Sequence, residues 1–118
     1  MAYSEALAER VRQVLTGRAK ISERKMFGGV GFLRGGNMCL GIWKTSLIAR
    51  LGPEQSPAAL GQSHVSEFDI TGRPMRGWVS VAAEGLDNDR DLRGWIDRAL
   101  TFVESLPRKE SKARQPRR

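Results

Sequence analysis

The chain's 118 residues and 13.1 kDa fit one compact domain, and 40% hydrophobic with 28% charged side chains is a globular mixture, neither disordered nor fibrous. The single cysteine excludes an internal disulfide, and no apolar run reaches the ~20 residues that span a bilayer. The formal charge of +7 suits a nucleic-acid partner only if it sits on the folded part, and most of it does not.

In chain order, Ser4 is placed to cap a first helix over 4–16, with Leu7, Val11, Val14 and Leu15 on one stripe and Gly17 as its stop. Glu5 and Glu9 come early and Arg10 and Arg12 later, the order a helix dipole favours. The period then shortens toward two. A strand is predicted over 21–27, running into Gly28-Gly29, and a second carries Val30 and Phe32 to the turn Gly35-Gly36-Asn37. Met38, Leu40 and Ile42 alternate with Cys39, Gly41 and Trp43 in a third strand, and 47–51 gives a fourth. Such a run reads as an antiparallel meander with helices against one face.

Gly52-Pro53 breaks the sheet, and Pro53 suits the first turn of a short helix ending near Leu60. Strands over 67–71 and from Trp78 to Val81 follow, separated by the turn Gly72-Arg73-Pro74-Met75. Asp87 or Asn88 caps a last helix striped by Leu92, Ile96, Ala99, Val103 and Leu106. Gly94 inside it costs ~1 kcal/mol relative to alanine, tolerable where a neighbouring element packs close. The fold class is therefore α+β, a two-layer sandwich of an antiparallel meander with flanking N- and C-terminal helices.

Pro107 marks the end of the folded domain, residues 1–107. Beyond it Arg108, Lys109, Lys112, Arg114, Arg117 and Arg118 face one acid, Glu110, which leaves 14 basic and 12 acidic side chains in the domain itself. With no apolar residue after Ala113, residues 108–118 are expected to be a disordered basic tail. The N-terminus has no charged stretch leading into an apolar one, so the cytoplasm is the expected compartment.

Candidate chemistry is sparse. A G-x-G-x-x-G loop from Gly29 would need glycine at Arg34, and a Walker loop over 31–36 would need lysine at Asn37. Residues 25–32 match most of the RNA-recognition consensus, but Met26 stands where glycine belongs and Gly29 where an aromatic would stack. His64 and Cys39 are each single, so no Cys/His metal set exists, and a dyad needs the fold to bring them together. Helix capping accounts for Glu84, Asp87, Asp89 and Asp91. No catalytic, cofactor or metal site is expected. The aromatic residues Trp43, Trp78, Trp95, Phe27, Phe32, Phe68 and Phe102 are expected in the core and its rim. A tryptophan exposed beside Arg73 or Arg76 would instead mark a partner-binding patch.

Three segments together carry a resemblance. Met1-Ala2-Tyr3-Ser4-Glu5 with Leu7-Ala8 and Arg10-Val11-Arg12 is the first. Lys25-Met26-Phe27-Gly28-Gly29 followed by Gly36-Asn37-Met38 is the second, and Gly72-Arg73-Pro74-Met75-Arg76-Gly77-Trp78-Val79 the third. In that order and spacing they resemble the TfoX/Sxy N-terminal-domain family over residues 1–106. The resemblance implies a secretion-chaperone-like α+β domain and a non-enzymatic accessory protein acting by protein contacts. Two-domain members regulate competence genes with the cyclic-AMP receptor protein at promoters, whereas here only the short basic tail follows Pro107, so no second domain is expected. The family supplies no catalytic residue to carry over. The expected partner is a protein, with the transcription machinery one candidate, Arg73, Arg76 and Trp78 the interaction residues, and a homodimer left open. The alternative is a weak, sequence-independent nucleic-acid contact through Arg108, Lys109, Lys112, Arg114, Arg117 and Arg118.

Overall fold

The computed structural model describes residues 3–17, 20–26, 28–68 and 76–106. Ser4 caps α1 (Glu5–Leu15), its hydroxyl accepting from the Leu7 N–H at 3.1 Å, with Glu5 in the first turn and Arg12 in the last. The meander follows as β1 (Ser22–Met26), β2 (Gly29–Arg34), β3 (Asn37–Trp43) and β4 (Ser46–Arg50). Gly35 and Gly36 turn β2 into β3 at φ of 61° and 83°, the left-handed region that costs glycine nothing. Helix α2 (Ser56–Ala59), β5 (Val65–Glu67), β6 (Trp78–Val81), a 3-10 turn over Ala83–Leu86 and α3 (Asp89–Glu104) complete the order. All six strands form one antiparallel sheet in the order β1-β2-β3-β4-β6-β5. The last strand of the sequence thus inserts beside β4 and leaves β5 at the edge.

Several local expectations shift. Helix α2 begins at Ser56, with Pro57 in its first turn, because Gly52 at φ 93° and residues 53–55 form a turn closed by Ser56 N–H donating to the Gly52 carbonyl. Strand β5 lies at Val65–Glu67, earlier than the 67–71 read from the sequence; residues 69–75, with the Gly72–Met75 turn, lie outside the described residues, as do Phe27, Pro107 and the tail. Asn88, not Asp87, caps α3, accepting from the Arg90 N–H at 2.7 Å, and the helix ends at Glu104 with Leu106 half-buried beyond it. The 3-10 turn had no periodic signal in so short a stretch.

Both long helices pack on one face of the sheet. Leu7, Val11 and Leu15 of α1 and Leu92, Ile96, Ala99 and Val103 of α3 form one core with Phe32, Leu40, Ile42, Leu47, Ala49, Val79 and Val81. The strict alternation expected in β3 fails at one point. Phe32 pairs with Leu40 and Leu33 with Met38, so Cys39 is an extra residue in a bulge. Cys39 and Leu40 are both fully buried in the core as a result, and Met38 turns to the opposite face from Leu40 and Ile42.

Partly exposed ion pairs tie the helices to the sheet. Arg12 donates to both Glu23 carboxylate oxygens, at 2.8 and 3.1 Å, and Arg34 reaches Glu104 at 3.5 Å. Arg10 joins α1 to the start of α3, donating to the Leu86 carbonyl at 2.8 Å and to Asp89 at 3.0 Å. Exposed pairs of this kind contribute at most ~1 kcal/mol each, so they orient the helices more than they hold them.

Leu92→Ala and Ile96→Ala, at 1% and 0% exposure, should each cost roughly 2–5 kcal/mol in denaturant unfolding. Gly94 behaves in the opposite way. No neighbouring element packs against it, since nothing lies within 4 Å of where a Cβ would stand. Gly94→Ala should therefore raise stability by about 0.5–1 kcal/mol in the same assay.

Candidate functional site

The alternation that buries one side of each strand under the helices sends the remaining side chains to the far face. By register these include Arg24, Leu33, Met38, Gly41, Trp43, Ile48, Arg50, Trp78 and Ser80. Two glycines, Gly31 and Gly41, pair directly across β2 and β3 there. The Met38 side chain lies over Gly41, so an added Cβ would meet its terminal methyl at 3.0 Å.

Phe68 closes this face. It follows β5 and touches Trp43 of β3 at 6.3 Å between ring centroids, edge-on, and Trp78 of β6 at 6.1 Å. Strand β4 lies between β3 and β6, so the three rings make a ridge across it, and Ile48, the central β4 residue of this face, is 2% exposed. Phe68 is buried while the two indoles stay half-exposed.

Cations cap the ridge at both ends. The Lys44 ammonium stands 4.9 Å from the Trp43 ring centre, and the Arg50 guanidinium 5.5 Å from that of Trp78. Arg50 is held further by the Met38 carbonyl at 3.4 Å and the Phe102 ring at 5.6 Å. Arg76 is exposed in the turn leading into β6, two residues before the half-buried Trp78. Arg73 lies outside the described residues, and so do Arg108, Lys109, Lys112, Arg114, Arg117 and Arg118. Trp43, Lys44, Arg50 and Phe68 belong to the same ridge and were not singled out from the sequence as site residues.

The groups weighed for catalysis stand apart. Cys39 sits in the core with its thiol donating to the Phe32 carbonyl at 3.3 Å, whereas His64 is exposed in the loop before β5. Burial pushes the Cys39 thiol up to about 12 from an ordinary 9.0, away from the thiolate that nucleophilic chemistry needs. Among the acids at the start of α3, Asp89 is paired with Arg10, and Glu84 and Asp91 line an open cleft of about 490 Å³ with His64, Arg90, Arg98 and Trp95. No three His, Cys, Asp or Glu side chains among the described residues could hold a metal ion together. No helix among the described residues is long and apolar enough to cross a membrane.

The helices on one side and the aromatic ridge on the other define an α+β domain whose distinctive surface is a sheet face. The TfoX N-terminal domain family matches residues 13–103, and the chain belongs to that family. The match covers the second and third of the three motifs and starts after the first. No curated protein matches the chain.

The thiol gives a chemical check on the core. Because its pKa is raised in the fold, the contribution is complete below about pH 9 and is lost as pH rises toward about 12, where the unfolded thiol ionises and the buried one does not. Cys39 in native protein should resist a thiol reagent at mildly alkaline pH and react fully in denaturant, and Cys39→Ala should flatten the stability loss over that pH range.

Proposed function

We propose that this TfoX N-terminal-type chain is a non-enzymatic accessory protein that works by protein contacts, of the transcription-regulator kind its family implies. The observation that supports this reading is the ridge of Trp43, Phe68 and Trp78 with cations at its ends. Tryptophan and arginine are side chains that dominate interface energies, tryptophan because it removes a large rigid area from water at little entropic cost and arginine because its planar fork of donors also stacks on rings. Half-exposed indoles on an otherwise well-buried domain are costly to leave in water without a partner. The thiol and imidazole, the chain's two most reactive side-chain types, lie in different settings and share no partner.

The test is an affinity capture from the native cell, with and without nuclease, using the full chain and two variants. A protein partner should survive nuclease and be retained several-fold less by the exposed-charge variant Lys44→Glu/Arg76→Glu, with Trp78→Phe weaker in effect. A partner lost on nuclease treatment and unaffected by these substitutions would replace this reading with nucleic-acid contact through the basic residues after Pro107.

A further inference from the structure

Charge on this domain is segregated by face. Among the described residues Arg10–Asp89, Arg12–Glu23 and Arg34–Glu104 join the helices to one another or to the sheet on the helix side, and Arg12–Glu9 lies within α1. On the far face the strands contribute Arg24 and Arg50 and no carboxylate, because Glu23 and Glu67 fall opposite Phe32 and Val79 and so belong to the helix side. Among the described residues none of Arg24, Lys44, Arg50 or Arg76 is paired with an acid.

Lys44 adds a second observation. Its φ of 58° is a conformation that glycine or asparagine takes at far lower cost in a two-residue hairpin turn. The position nevertheless holds a lysine, its carbonyl fixed by the Ser4 N–H at 2.7 Å and its ammonium over Trp43. Strain of this sort, kept where a smaller residue would relieve it, points to a use for the side chain.

We infer that the far face binds an acidic peptide segment, extended across the ridge with one carboxylate at each cationic end and an apolar side chain between them. This rests on the reading of the ridge as a docking surface and names what docks. Ring steps of 6.3 and 6.1 Å put the two indoles within about 12 Å of one another. An extended chain advances ~3.3 Å per residue and presents every second side chain to one side, so acids at i and i+4 reach the two ends and residue i+2 meets the middle. The cations are already held over rings, Arg50 also by a carbonyl and a third ring, so little side-chain freedom is lost on binding. A single-stranded nucleic acid fits less well. Its bases need open ring faces, and here each indole has Lys44 or Arg50 over it and Phe68 beside it.

The experiment titrates the intact chain, with indole fluorescence as readout, against three probes. One is a synthetic peptide centred on Asp-Ser-Leu-Ser-Asp, the second the same peptide with Asn for both Asp, and the third a single-stranded oligothymidylate. The acidic peptide should bind on the order of tenfold tighter than the Asn peptide, and Lys44→Glu, which removes the exposed cation at one end, should cut that difference severalfold while Lys44→Arg keeps it. Raising salt to about 0.5 M should weaken the acidic peptide alone. Equal binding of both peptides would keep the docking surface and overturn its preference for acids. Tighter binding of the oligothymidylate, or no response to either peptide, would overturn the inference together with the ridge as a peptide site.

Discussion

The packing of α3 across β3 and β4 is the contact on which the rest of the structure depends. Leu92, Ile96, Ala99 and Val103 present one apolar stripe to Leu40, Ile42, Leu47 and Ala49, and α1 extends the same layer beside it. With both helices on one side, the pleat must send every second strand residue to the other side. Among the described residues no helix covers that side, and small residues and side chains close it there. Gly41 lets Met38 lie flat, and Phe68 packs between two tryptophans. The aromatic ridge is thus a consequence of one-sided helix cover.

The same asymmetry sorts the charges. Arginines that reach across from α1 and β2 find acids on neighbouring helices and strands, so these three cations are paired on the helix side. The far face has arginine and lysine but no such partners among the described residues, and its cations rest on aromatic rings instead. Cation–π contacts are worth ~0.5–1 kcal/mol at exposed sites and leave the charge available to an incoming acid. A basic protein whose formal charge lies mostly in its last residues still carries a cationic face of its own.

Membership of the TfoX N-terminal domain family fits this anatomy, since the matched residues 13–103 hold the six strands, α3 and most of the ridge's support. Two of the three motifs that suggest the family map onto the hairpin turns and the approach to β6. The ridge residues Trp43, Lys44, Arg50 and Phe68 lie outside them, and Trp78 lies in the third. The candidate surface therefore draws on residues both inside and outside the shared motifs.

By itself the sequence determined the elements that local rules govern. The stripes of α1 and α3 follow from spacing, the cap at Ser4 from a hydroxyl before a helical run, and the hairpin at Gly35-Gly36 from the need for positive φ. Single-residue faults escaped it: the bulge at Cys39 changes which face Met38 joins, and alternation alone gives no sign of an inserted residue. Arg76 and Trp78 were legible as a pair because only Gly77 separates them in sequence. Their partners were not, because β6 pairs with β4 across some thirty intervening residues and Phe68 reaches Trp43 from beyond β5. Long-range pairing, which only the folded chain decides, is what gathers scattered aromatics and cations into one surface.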